Sequence, residues 1–409
     1  MSQRYPINAI THIHTAASNG AASEMDPVIG TAMKQVLGED NPARWSECFT
    51  RVERLARLLD HPWQEPPVGI IAITDHQNPR SHTLPDDLLR AAANEPRLAA
   101  CGELACIDQD VDGEYRNAPE VLVYGSGDPV DGPYGPHYGI SQALLDEIFD
   151  VCRVPGRREI QTSRVVDFCA ERGLACALAH PFDGHQLSLE ACFDLISRAR
   201  FVETVNGGFP AVSTRIMQDL VAFQNRLVAG WRVAPETAIR YPLVRRLAER
   251  IVEDQRGALH PWGGSDSHSH AFDRVTMRFL AHRPDPTAGD FFRAMLERSV
   301  EDLLLDGTFG VQGRPGSAMS VLDDVVRIVA RNMWSIRRQV PPSRAWPLMV
   351  TTRRIVAQEL GKRSQHRVEQ VKEAGRRFPS SRVLAQMVPP VGRQAARQRW
   401  PQLISSSAE

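Results

Sequence analysis

Gly69-Ile70-Ile71-Ala72-Ile73 is a near-continuous apolar run of strand length. A strand that is apolar on both faces is buried on both, which is the habit of parallel sheets covered by helices. The run stops at Thr74-Asp75-His76, and the same design recurs along the first three hundred residues. Ile7 to Thr15 is β-branched, alternates, and carries His12 and His14. Leu98 to Ile107 holds Glu103, and Val121-Leu122-Val123-Tyr124-Gly125 reads as a fourth strand. Leu174 to Ala179 ends in His180-Pro181, and Phe201 to Asn206 contains Glu203. A seventh strand passes through Ala258-Leu259-His260-Pro261-Trp262 into Gly264-Ser265-Asp266-Ser267-His268.

Helical patterns separate these runs. Asn41-Pro42 supplies an N-cap and a first-turn proline for a helix with apolar residues from Trp45 to Leu59. A second helix runs from Thr162 or Ser163 to Gly173, and Ser188 caps a third. Residues 211–255 are largely helical, and a last helix covers 287–297. Seven strands alternating with helices predict a parallel α/β fold, and a closed parallel barrel puts its chemistry at the strand C-termini. His12, His14, His76, His180, Asp266 and His268 all fall there. Asp266 and His268 are two apart, so an extended backbone aims both to one side, as a metal-ligand pair requires.

Composition bounds the alternatives. The chain has 409 residues, 42% hydrophobic and 24% charged, ordinary for a globular protein with one large domain and an appendage. It shows no bilayer-spanning run and no apolar signal-peptide core, so we expect a cytoplasmic protein without membrane contact. Seven cysteines without CxxC spacing read as small buried hydrophobes. The net charge is -1, yet from residue 311 onward Lys and Arg exceed acids by about a dozen.

The ordered set His12-x-His14, Thr74-Asp75-His76, Gly102-Glu103, Ala179-His180-Pro181, Glu203-Thr204-Val205-Asn206 and Gly264-Ser265-Asp266-Ser267-His268 resembles the PHP (polymerase and histidinol phosphatase) family over roughly residues 7–310. The resemblance implies a distorted (β/α)7 TIM-like barrel (residues 1–312) with one to three divalent ions of zinc, manganese or iron. A basic helical extension (313–409) would follow. It implies that His12, His14, Glu103 and Asp266 hold a first ion. Glu103 would bridge to a second ion on His180, and His76 and His268 would bind a third. Glu203 and Asn206 would support these ligands from behind.

Two positions depart from the family pattern. Its Ser-Asp-Gly reads Ser18-Asn19-Gly20, and a neutral amide is a poorer oxygen donor than a carboxylate. A fourth-strand histidine of the family corresponds to Leu122, leaving His82, His137 or His185 to fill the gap. Arg153, Arg157, Arg158 and Arg164 read as a solvated face, with phosphate clamping as the alternative.

The expected function is a metal-dependent phosphoesterase, a hydrolase acting by metal-activated water on a nucleotide, a nucleic acid or a small phosphomonoester. The reading from another class is a catalytically silent module with a degenerate metal site that binds nucleic acid or a protein. The basic extension reads either as a solvated helical appendage or as a nucleic-acid contact.

Overall fold

The computed structural model describes residues 3–15, 18, 51–59, 66–182, 186–207, 211–267, 275–314 and 380–390, with single positions at 350, 354, 373, 376 and 377. Nine strands form the main path of one sheet: β1 (Tyr5–Ile10), β2 (Val68–Gln77), β3 (Leu98–Leu104), β4 (Val121–Gly125), β5 (Ala175–Leu178), β6 (Phe201–Asn206), β7 (His260–Gly264), β8 (Val275–Ala281) and β9 (Phe309–Gly313), and the short strand Tyr138–Gly139 joins it beside β3. Their order is β7-β6-β5-β4-β3-β2-β1-β8-β9. All seven strands read from the sequence are present.

The sheet is mixed, which corrects the expectation of a parallel one. β4 runs antiparallel to both β3 and β5. The reason is local: among residues 105–120 there is no helix, only two short strands, Cys106–Gln109 and Tyr115–Asn117. Without a crossover the chain returns in the opposite direction. Cys106–Gln109 also leaves the main sheet to pair with Tyr115–Asn117 and Ile160–Gln161, so Leu98 to Ile107 is not one strand. The β8–β9 ribbon, antiparallel to β1, was not read from the sequence.

The two ends of the sheet nearly meet. Beyond β1, Ile13 bridges Ser267 in parallel register, and Asp266 N–H donates to the His12 carbonyl at 2.9 Å. Thr11 Oγ1 donates to the Gly263 carbonyl and Ser265 Oγ to that of His12. β7 packs against β8 and β9 at the other level. The result is a nearly closed barrel in which alternate side chains face in or out.

The inward set is asymmetric. Ala9, Ala72, Ala99, Ala175 and Ala177 face Phe201, Trp262, Phe279 and Phe309 across the interior. Small residues on one wall make room for aromatic rings from the other, as close packing requires. The outward set, including Ile71, Ile73, Leu98, Val121, Val123 and Val202, packs under the helices. Each large side chain buried this way contributes about 1.5–3 kcal/mol.

The helices follow their capping signals. Ser188 Oγ accepts from Ala191 N–H at the start of Leu189–Arg198. Thr287 and Asp290 form a reciprocal capping box before Ala288–Glu297. Thr162–Glu171 is capped instead by a distant residue, Asp108, whose Oδ2 accepts from Ser163 N–H at 2.8 Å. The helical region 211–255 comprises three helices, Ala211–Val228, Pro235–Arg240 and Pro242–Glu253. Of the expected Asn41–Leu59 helix, residues 51–59 are described; they are helical over Val52–Ala56 and turn after it.

Most of the basic extension lies outside the described residues. Its segment Ser380–Ala385 packs on helix Ala211–Val228, and Val383 is fully buried in the main core. Met387–Val388 pairs antiparallel with Arg232–Val233, and Arg226 Nη1 donates to the Leu384 carbonyl. Arg377 is engaged by Glu190 and Glu373. Six free cysteines are described, five of them buried, as the sequence predicts. No helix among the described residues is long and apolar enough to cross a membrane.

Candidate metal centre

The donors converge at the end of the barrel where the parallel strands finish. β1 stops at Ile10, so the shared strand face expected for His12 and His14 is not what delivers them. A bend at His12 turns both rings inward from the segment beyond the strand. That segment is clasped by β2: Thr15 N–H and Oγ1 donate to the two oxygens of buried Asp75, and His76 N–H donates to Ser18 Oγ. Burial pushes the Asp75 carboxyl up to about 6 against the pull of both Thr15 bonds.

Glu103, fully buried on β3, stands at the middle. Its Oε1 lies 3.2 Å from His12 Nε2 and 3.0 Å from His180 Nε2. Its Oε2 lies 3.2 Å from His14 Nε2 and 2.9 Å from His76 Nδ1. Asp266 Oδ1 approaches His14 Nε2 at 3.2 Å and His12 Nε2 at 3.5 Å. The rings of His14 and His76 stack at 4.2 Å, and His12 faces His180 at 5.7 Å. His12, His14, His76, Glu103, His180 and Asp266 are thus brought together as the sequence predicts. His268, Asn19 and His185 lie outside the described residues.

One donor was missed. Glu120 Oε2 lies 3.3 Å from His180 Nε2 and its Oε1 lies 3.9 Å from His76 Nδ1. Glu120 precedes β4 by one residue, two places before Leu122 and four before Tyr124, on the inward face of the strand. Leu122 lies opposite Glu103 and is packed in the apolar barrel interior. The carboxylate that reaches the histidines from this strand is Glu120. The signal was available: period-two alternation carried back from Tyr124 through Leu122 reaches Glu120. Of the three histidines offered for the gap, His82 and His137 lie elsewhere and His185 is outside the described residues. His82 stacks on Phe149 beside Asp146, and His137 sits in a hairpin with Nε2 on the Ile140 carbonyl.

Other residues stay apart. Arg164 donates to the Arg153 carbonyl and Arg157 lies over Tyr115, so this cluster is an outer face. His260 is not a surface residue: it is buried at the far end of β7 against Phe201 and Phe309, and burial lowers its pKa to about 4. A cleft of about 510 Å³ between residues 108–111 and helices Leu189–Arg198 and Pro242–Glu253 contains none of the donors.

The arrangement suits cations. Glu103, Glu120, Glu203 and Asp266 gather within the barrel mouth, and among the described residues no Lys or Arg pairs with any of them. His12 Nε2 and Glu103 Oε2 are buried without a well-directed hydrogen bond, although other donors surround them. Three triads have their donor atoms within 4.8 Å of one another: His12, His14 and Glu103; His12, His180 and Asp266; His76, Glu103 and Glu120. Imidazoles and carboxylates at such spacing fit a first-row divalent ion.

Protons stand in for that charge. Burial works against a charged His12, but the pull of Glu103, Glu203 and Asp266 raises its pKa well above the usual imidazole value. His180 is raised in the same way by Glu103 and Glu120, again against burial. Burial, reinforced by the neighbouring His76, lowers His14 to about 4. Burial opposes charge on Glu103 and Asp266, yet His12 and the other imidazoles hold both well below the carboxylate range.

The backbone is strained at two of the donors. His180 and Asp266 have φ of 20° and 47°, positive values that side-chain-bearing residues seldom adopt. Such outliers persist only where surrounding bonds hold them, and they concentrate at functional sites. No family model, curated protein or solved structure matches this chain.

Proposed function

We propose that the protein is a divalent-metal-dependent phosphoesterase on a PHP-type (β/α)7 barrel. The observation that carries this reading is the convergence of four carboxylates and four imidazoles in one buried mouth, where among the described residues no Lys or Arg pairs with the carboxylates. Four carboxylates in a barrel interior need compensating cations, and two divalent ions would supply that charge. The order of the motifs along the chain directs the reading to phosphate esters. Ions held there supply an activated water and screen the phosphoryl oxygens.

The residues divide the work by position. His12, His14, Glu103 and Asp266 would hold one ion. Glu103, Glu120, His180 and His76 would hold another. Glu103 belongs to both because its two oxygens face different histidines. Barrel packing and the 13–18 clasp keep these side chains in place before any ligand arrives. The alternative of a silent module drew its support from missing donors, and Glu120 supplies one of them.

The test is turnover by the chelated protein with manganese, zinc or iron(II) returned. An aryl phosphomonoester, a bis-aryl phosphodiester, a nucleotide and single-stranded DNA separate the substrate classes. We expect metal-restored hydrolysis of at least one class, abolished by Glu103→Gln. Cation uptake without turnover of any of them would favour the silent module.

A further inference from the structure

Glu203 is not in the ring of donors, yet three of them depend on it. Its Oε1 lies 3.0 Å from His12 Nδ1. Its Oε2 accepts the backbone N–H of His180 and a side-chain N–H of Asn206, both at 2.9 Å. Asn206 Nδ2 also donates to Asp266 Oδ2 at 3.2 Å. One buried carboxylate therefore reaches the ring of a first-position donor, the strained backbone of a second-position donor, and, through Asn206, the carboxylate of Asp266.

The sheet is built to admit it. Gly264 pairs with Asn206 across β6 and β7, and a Cβ on Gly264 would collide with both Glu203 Oε1 and the His12 Cβ. A register shift in the same ladder falls between Glu203 and Val205. The Glu203 contact at Nδ1 fixes which edge of the His12 ring faces β6 and which faces the mouth. Nε2 is then the nitrogen left to ligate, and it is the one aimed at Glu103 and Asp266.

We propose that Glu203 is a positioning residue that couples the two halves of the centre, orienting His12 and His180 through a single carboxylate so that both ion positions form together. The proposal rests on the metal-binding part of the function proposed above. Glutamine at this place keeps the size but cannot accept from His12 and His180 at once, because its NH₂ must face one of those donors.

The experiment is a cobalt(II) titration of the full-length protein followed by d–d absorption, with equilibrium dialysis for stoichiometry. Wild type, Glu203→Gln and Glu120→Gln are compared. We expect Glu203→Gln to weaken both binding events by about 10–100-fold. Glu120→Gln should weaken one of them. In the zinc-loaded protein the His12 Nδ1–H proton resonance should move up-field in Glu203→Gln, beside whatever melting temperature the unpaired donor costs the chelated protein. A residue that merely props the fold would lower that temperature and leave the resonance alone. Wild type taking up no cobalt would overturn the metal reading itself. Normal uptake by wild type with unchanged affinities in Glu203→Gln would overturn the coupling alone.

Discussion

Glu120 Oε2 stands 3.3 Å from Nε2 of His180, across the β4–β5 boundary of the barrel. The contact makes Glu120, 19% exposed at its side chain, the outermost carboxylate of the centre. Glu120→Gln should lower cation stoichiometry after dialysis, measured by elemental analysis. Leu122→His should bring no gain, because Glu120 already brings this strand's carboxylate to His180 and position 122 is packed among apolar side chains. Burying it there without a partner should cost about 1–3 kcal/mol in urea unfolding. Extra bound metal in Leu122→His would contradict the assignment of Glu120.

Metal and protons compete for the same nitrogens. His12 and His180 have raised folded pKa values, so their contribution to stability is present below the unfolded value near 6.5 and is lost as pH rises through the folded ones. Glu103 and Asp266 are depressed, so theirs is present above about pH 4.5 and lost as pH falls through their folded values. The chelated protein should therefore lose melting temperature from about pH 6.5 upward. Added manganese should restore more of it the higher the pH, with protons released on binding. Calorimetry in buffers of different ionisation enthalpy measures that release; none at pH 7 would contradict the raised imidazoles.

Below the donors, Trp262 Nε1–H donates to Tyr124 Oη at 2.9 Å, and Tyr124 donates on to the Thr11 carbonyl at 3.0 Å. Tyr124→Phe leaves the buried indole N–H unpaired. The expected cost is about 1–3 kcal/mol in chemical denaturation, with cation stoichiometry unchanged. A neutral substitution would mean that water replaces the hydroxyl.

The extension is expected to act on the body through packing. Val383 and Met387 are buried against helix Ala211–Val228 and its surroundings, and Thr237 Oγ1 donates to Gln386 Oε1 at 2.6 Å. Removing residues 380–409 should lower the melting temperature, since each large apolar side chain withdrawn forfeits about 1.5–3 kcal/mol. Val383→Asp should do the same by burying a charge. Unchanged thermal unfolding in both would return this segment to a solvated appendage.

Much of the centre was legible because of strand periodicity. An apolar run ending in His or Asp marks where a buried strand meets the mouth, and it pointed to His76, His180 and Asp266, whereas His12 and His14 arrive from a bend beyond β1 and Glu103 from within β3. The remaining expected ligand, His268, lies outside the described residues. Glu120 escaped because the fourth strand was counted from its first apolar residue, Val121, and a single Glu before a strand resembles a solvated cap. The direction of β4 also escaped, since alternation looks the same whichever way a strand runs. Thr162–Glu171 illustrates the remaining limit: its N-terminus is satisfied by Asp108, more than fifty residues away, which no local capping signal announces.

The sequence by itself determined where seven of the barrel strands lie, which of their apolar residues alternate toward a common interior, and that the polar residues near their ends are of metal-ligand type. Those are properties of local alternation and side-chain chemistry, and they survive without knowing what lies across the barrel. Only the tertiary structure decided that Glu103 lies between two pairs of histidines, that Glu120 reaches His180 and His76 from the fourth strand, and that Glu203 reaches His12 and His180 together. These depend on register between strands distant in the chain and on how far the sheet curls before Ile13 meets Ser267. A one-residue slip in any ladder would aim the same side chains at the helices instead.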